Sequence, residues 1–260
     1  MILETGAFQG VARIVWVDRA GYLDPQRQPL ADLPLEVRFS QLPRALRAVH
    51  KTGATLLLRS SGLRIAAGAP QPASWLDAGT DAYDVQGEVS EPTGRFLPRR
   101  FARLTGQTQD LAIDLYRSPL GARYQSGGGV QGRVMFDDDA PAALALIRVE
   151  VTPPLTGKLA FIAQADGNGE FRLPLDRLPA LGKDAPSATY PAVLRVQASP
   201  DASRAWREQG IPANPDLYPS AQVLDMADAT RFADSTSFTI TPGTVATLTS
   251  AGKSTLVVQT

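Results

Sequence analysis

Short runs of β-type residues, each cut off within about ten positions by Gly, Pro or Asp, confine this chain to sheets rather than helical layers. Val11 to Val17 alternates and stops at Asp18, with Gly21 and Pro25 close behind. Leu35, Val37 and Phe39 point one way while Glu36 and Arg38 point the other, a period of two that only a strand uses. Ala54 to Arg59 reads as a buried-strand run halted by Ser60-Ser61-Gly62. Arg95-Phe96-Leu97 and Leu111 to Tyr116 complete a first module. Further strands are expected at Val130–Phe136, Ile147–Val151, Lys158–Gln164, Glu170–Leu173 and Ala192–Gln197, then at Thr236–Thr241, Val245–Leu248 and Ser254–Val258. Two stretches carry helical spacing instead. Leu42, Ala45, Leu46 and Val49 predict one or two turns opened by Pro43. Ala202 to Gln209 predicts a short helix capped by Asp201 and ended by Gly210-Ile211-Pro212.

The expected architecture is all-β: tandem β-sandwich modules with a β-rich C-terminal tail. Residues 1–125 would form an N-terminal sandwich-like module, 126–200 a second sandwich, and 201–260 a Pro-rich connector with a C-terminal β segment. The boundary is set at Gly127-Gly128-Gly129, where three glycines suit a joint or a tight crossing. A phosphate cradle would need a helix after them, and Val130 to Phe136 reads as a strand. The strand at the C-terminus implies a tail pinned into a sheet, the chain's own or a neighbour's. As a neighbour's strand, 236–260 would be needed for assembly and dispensable for the folding of 130–197.

Composition narrows the function classes. The 260 residues carry 26 basic and 26 acidic side chains, so the net charge is zero, without the basic face of a nucleic-acid or membrane-surface binder. Arg99, Arg100 and Arg103 are close in sequence and form the one candidate basic patch. Cysteine is absent, which removes disulfides, thiolate metal sites and a Cys nucleophile together. Met1 to Gly10 lacks the basic start and apolar run of a signal peptide, and no apolar stretch approaches the roughly 18 residues of a membrane span. Lysine at only 51, 158, 183 and 253, beside abundant arginine, reads as the bias of a GC-rich bacterial or phage genome.

The stretch 130–197 carries a recognisable pattern. Val130-Gln131-Gly132-Arg133-Val134 leads into an acidic turn, Pro141 opens Ala142 to Val149, and later comes Ala163-Gln164-Ala165-Asp166-Gly167-Asn168-Gly169-Glu170-Phe171-Arg172-Leu173. This resembles the carboxypeptidase regulatory-like, or transthyretin-like, β-sandwich domain. Ala165 stands where that pattern has Thr or Ser, and Leu144 where it prefers Gly. The resemblance implies sandwiches of the immunoglobulin or transthyretin type and is nearly silent on activity, because such domains serve as spacers and adhesive modules. Its physics is local: Asp166 accepts hydrogen bonds from the amides that follow, Gly169 supplies a positive φ, and Phe171 and Leu173 point inward. Glu91-Pro92-Thr93-Gly94-Arg95-Phe96 echoes Asp166-Gly167-Asn168-Gly169-Glu170-Phe171, which raises an internal repeat.

No residue set selects a reaction. His50 is the only histidine, so any Ser-His-Asp or His-metal site would pass through it, and its expected place is the end of the short 42–49 helix. Arg59-Ser60-Ser61-Gly62 lacks the first glycine of a nucleophile elbow. Asp137-Asp138-Asp139 and Asp166-Gly167-Asn168-Gly169-Glu170 look like pieces of a calcium loop, yet adjacent carboxylates cannot share one ion and the distant bidentate Glu is missing. Ala251-Gly252-Lys253-Ser254-Thr255 imitates a phosphate-binding loop, with Thr247 where the first glycine belongs and no room for a helix after it. No catalytic, cofactor-binding or metal residue is therefore expected, and no cofactor.

The leading expectation is a structural part, with a hydrolase ranked last. The whole chain resembles a non-enzymatic component of a phage tail or phage-like contractile injection particle: made in the cytoplasm without a signal peptide, assembled into a virion or extracellular particle. Its partners would be other subunits or copies of itself, joined through sheet edges and loops, with neither nucleic acid nor membrane. The competing expectation is a carbohydrate- or protein-binding module, with Trp16, Trp75, Tyr83 and Trp206 as stacking residues.

Overall fold

The computed structural model describes residues 8–19, 21–22, 31, 33–44, 46–60, 83–105, 110–153, 157–176, 178–181 and 188–260. Among them the chain is mostly β, with one α-helix. It divides into two compact units. The first holds Met1–Val17, Leu30–Val89 and Arg100–Asp114; the second holds Asp18–Pro29, Ser90–Arg99 and Leu115–Thr260. The three glycines expected to separate modules thus lie inside the second unit.

In the first unit, β4 (Leu46–Lys51), β5 (Ala54–Ser60), β1 (Phe8–Asp18) and β8 (Asp110–Leu115) form one sheet in that order. β3 (Glu36–Gln41), β6 (Tyr83–Ser90) and β7 (Arg99–Thr105) form another. The helical turns expected over 42–49 are instead β4, paired residue for residue with β5 from Leu46↔Arg59 to Lys51↔Ala54. Eight residues are too few for a helix to stand without tertiary support. The Thr52-Gly53 loop, with Gly53 at φ 72°, closes a tight hairpin that supplies a full ladder of hydrogen bonds. The aromatic rings link the two sheets. Phe101 of β7 meets Trp16 of β1 edge-on at 5.5 Å and Phe39 of β3 at 5.9 Å. Gly87 on β6 is required there, because a Cβ would collide with Arg38 O and the Phe101 ring.

The second unit is one extended sheet ordered β12 (Glu170–Pro174), β9 (Gly129–Phe136), β18 (Leu256–Gln259), β14 (Ser220–Leu224), β13 (Tyr190–Gln197), β10 (Leu146–Val151), β11 (Leu159–Gln164) and β2 (Gly21–Tyr22). β15 (Phe232–Ala233) pairs with β14, β16 (Thr236–Ile240) with β13, and β17 (Val245–Leu248) with β9. Along one side of β9 lie β17 and then β18, both parallel to it, while β14 and β16 share one side of β13. The C-terminal strands therefore fill the gap between β9 and β13. Ile240, Leu248, Leu256 and Val258 are buried in the same core as Val134, Ile147, Phe161 and Phe171. The expected connector and tail are integral to the unit's own sheet, because their alternating apolar residues face the core that residues 130–197 leave open.

Arg95-Phe96-Leu97 is not a strand; only Phe96 bridges to Arg117. The glycines at 127–129 form a tight crossing. A Cβ on Gly127 or Gly128 would collide with the carbonyl oxygens of Leu175 and Thr244. Backbone bonds Gly129 N to Thr244 O (2.9 Å), Gly243 N to Gly127 O (3.1 Å) and Leu175 N to Gly128 O (3.1 Å) hold the crossing on both sides.

The helix, α1 (Pro200–Gln209), begins earlier than expected. Ser199 is its cap, accepting from Ala202 N at 3.2 Å, with Pro200 at the first position and Asp201 inside the first turn. Gly210 at φ 65° ends it, donating to Trp206 O. Ser203 Oγ donates to Ala143 O at 2.8 Å, which fixes α1 over the 142–146 segment. In that segment Leu144, where the resembled pattern prefers Gly, has φ 62° and is buried with Tyr116, Leu146 and Tyr218. A side chain at positive φ is costly, and this one is held by its burial.

Candidate functional site

His50 lies on β4, where its ring stacks on Phe39 (6.3 Å, 18° between planes) and its Nδ1 sits 3.0 Å from Thr55 Oγ1. Trp16 Nε1 donates to that same hydroxyl at 3.0 Å. An indole can only donate, so the Thr55 oxygen accepts from Trp16, while the direction of its hydrogen bond with His50 follows the imidazole tautomer. Thr55 is fully buried, and its hydroxyl orders the Trp16 and His50 side chains. Thr55→Val is expected to destabilise the first unit by about 1–3 kcal/mol, since it strands the buried indole N–H. His50→Ala, at the exposed end, should cost less than about 1 kcal/mol. Thermal melting of the two variants checks the order.

The three arginines do not gather into a patch. Arg99 is buried, with Nη2 at 2.9 Å from Asp216 Oδ2 and 3.0 Å from Asn214 Oδ1, and it ties the 214–216 segment down. Burial pushes the neighbouring Tyr218 phenol pKa up, against the pull of the Arg99 charge. Arg100 pairs with Glu88 at 2.8 Å, and Arg103 Nη1 reaches Ala102 O at 3.3 Å.

The acidic turns are occupied by their own backbone. Asp138 Oδ1 accepts from Ala140 N at 3.0 Å, and Asp139 takes φ 62°. Asp166 Oδ1 accepts from Asn168 N (2.8 Å) and Glu170 N (2.9 Å); Gly169, at φ 80°, donates to Asp166 O; Phe171 and Leu173 are buried. The echo at 91–96 has the same construction. Glu91 accepts from Thr93 N (2.9 Å) and Arg95 N (2.8 Å), Gly94 is at φ 72° and donates to Glu91 O, and Phe96 is buried. The repeat is thus one of turns, and both turns belong to the second unit. Among the described residues, no group of three or more His, Asp or Glu side chains could hold a metal ion.

Glu91 also has an electrostatic consequence. Burial disfavours its charge, but hydrogen bonds from the Thr93 hydroxyl and from the amides of Thr93, Arg95 and Phe96 outweigh that and lower its pKa. A carboxylate whose pKa falls on folding adds stability above its unfolded pKa and loses it as pH drops through the folded one. The melting-temperature gap between the native chain and Glu91→Gln is therefore expected to narrow between about pH 6 and pH 3.

The remaining candidates separate as well. Trp16 is in the core, Trp206 is half-buried against Tyr116, Leu144, Leu146 and Tyr218, and Trp75 and the Tyr83 side chain lie outside the described residues. Ala251 to Thr255 is a turn closed by Ser250 N to Thr255 O at 3.0 Å, with Gly252 at φ 68°. No described helix is long and apolar enough to cross a membrane.

One concavity of the second unit was not legible beforehand. A cleft of about 560 Å³ opens beside α1, lined by Arg204 and Arg207, by Asp137 and Asp138 from the turn after β9, by Asp234 after β15, and by Gln222 and Gln259. Helical spacing could have placed the two arginines on one face, but the carboxylates come from distant loops.

No protein-family model and no curated protein matches the chain. Among solved structures, a leucine-rich repeat protein from Bacteroides thetaiotaomicron aligns with 95% of this chain at 10% identity and a TM-score of 0.17. The alignment spans 26% of that protein.

Proposed function

We propose that the chain is a non-enzymatic structural component of a phage tail or phage-like contractile injection particle, held there by sheet-edge and loop contacts. The observation that carries this reading is β17. Among the described residues it pairs with β9 alone, and its sequence Val-Ala-Thr-Leu contains neither charge nor proline to blunt the other edge. Proteins that stay alone protect such edges, whereas assembling proteins use them to accept a strand. Val245 on this strand is 44% exposed, and Leu217 in the short turn after α1 and Leu120 in the 118–122 turn are each 77% exposed. On this reading the two units are sandwiches of the immunoglobulin or transthyretin type. The ring contacts between the sheets of the first unit, and the Asp166–Gly169–Phe171 turn of the carboxypeptidase regulatory-like pattern, support that. The chain would be made in the cytoplasm and leave it within the particle.

The test is sedimentation of particles from producing cells, with the chain detected in the pellet. Val245→Glu combined with Leu217→Glu is expected to reduce the pelleted fraction at least about tenfold while leaving the melting of the free chain within about 0.5 kcal/mol, as exposed substitutions do. A native chain that never pellets with any particle overturns the reading.

A further inference from the structure

We propose that the cleft beside α1 binds a peptide segment that carries separated positive and negative side chains. Arg204 and Arg207, three residues apart, line the helical side. Asp137, Asp138 and Asp234 line it from two other loops. Among the described residues no ion pair crosses the cleft: Arg204 reaches only Asp201, at 3.8 Å and outside the lining, and Arg207 Nε donates to Ser203 O at 3.4 Å. Opposite charges brought to one concavity without neutralising each other are complementary to a ligand of reversed polarity.

The floor argues for a peptide. Gln259 Nε2 donates to Gln222 Oε1 at 2.9 Å, and Gln222 Nε2 donates to Asp234 Oδ1 at 3.4 Å. Each carboxamide has two N–H donors and an oxygen acceptor. Gln259 Oε1 and a second N–H on each side chain thus remain to meet the N–H and C=O of a peptide group. A sugar would want an aromatic platform, and the one aromatic in the lining, Phe136, is buried. The volume lies within the roughly 300–1,000 Å³ of ordinary ligand sites, room for about three or four residues.

The test uses the full chain and four capped tetrapeptides: one with Lys and Glu separated by two glycines, two in which either charge is replaced by Gln, and one with both replaced. Binding is read by chemical-shift changes of the Gln222 and Gln259 side-chain amides. The doubly charged peptide is expected to bind at least about tenfold more tightly than either singly charged one, with the advantage shrinking as salt screens it. Asp137→Asn with Asp138→Asn should erase the gain from Lys, and Arg204→Gln with Arg207→Gln the gain from Glu, at unchanged melting. Equal binding of all four peptides, binding of none, or a charge preference that survives both double variants overturns the proposal. No particle enters the experiment, so its failure is separate from failure of the assembly reading.

Discussion

Removal of residues 236–260 is expected to unfold the entire second unit. β18 lies between β9 and β14, β17 covers the first half of β9, and β16 covers most of β13. Cutting them exposes ladder groups of β9 and β13 and takes Ile240, Leu248, Leu256 and Val258 out of the core. At about 1.5–3 kcal/mol for each buried aliphatic side chain, the lost burial alone is about 6–12 kcal/mol, comparable to the whole stability of a domain. Circular dichroism of the truncated chain should lose the cooperative transition of this unit, and its amides should exchange freely. A cooperative transition that persists would mean that 130–197 folds without its C-terminal strands. Truncation cannot then report on assembly, which is why exposed point substitutions are the right probe of sheet-edge contacts.

The second large effect is expected from a single methyl group. Gly169→Ala and Gly94→Ala place the same Cβ at nearly the same φ, 80° and 72°, in turns of the same construction. At Gly94 nothing lies within 4 Å of the added atom, so the cost is the left-handed backbone alone, about 1–2 kcal/mol. At Gly169 the atom collides with Val134 O, which itself belongs to β9 and cannot give way without disturbing the ladder to β12. The expected loss there exceeds about 3 kcal/mol, with strain and displacement added together. Denaturant melts of the two variants measure the difference directly. Equal losses would show that β9 yields to the turn.

Much of the fold was legible because period two survives burial. Leu35–Phe39, Ala54–Arg59, Val130–Phe136, Glu170–Leu173 and the three C-terminal strands all coincide with observed strands. β6 and β14 also alternate cleanly, with Val85 and Val89, and Ala221 and Val223, turned inward. They were hidden by their neighbours: β6 follows a Gly- and Ala-rich stretch, and β14 follows a run of Pro and Asp. β4 departs from its local pattern because Leu42, Ala45, Leu46 and Val49 satisfy a helical period that the hairpin with β5 overrides. Which turns repeat could be read from the acid, glycine and phenylalanine positions, since each has one local job. The cleft could not, because Asp137, Asp234 and Arg207 are joined only by the order of strands in the sheet.

That strand order also governs how the unit comes into being. β9 emerges from the ribosome more than a hundred residues before its partner β18, and β13 waits for β16. Until then both present bare edges and apolar faces, the species most prone to pair with the wrong chain. Closure is therefore slowed by the long loop that must be closed first. A partner strand or a holding chaperone that covers these edges during synthesis should raise the soluble yield. Slowing translation upstream of β16 should lower the soluble yield rather than raise it.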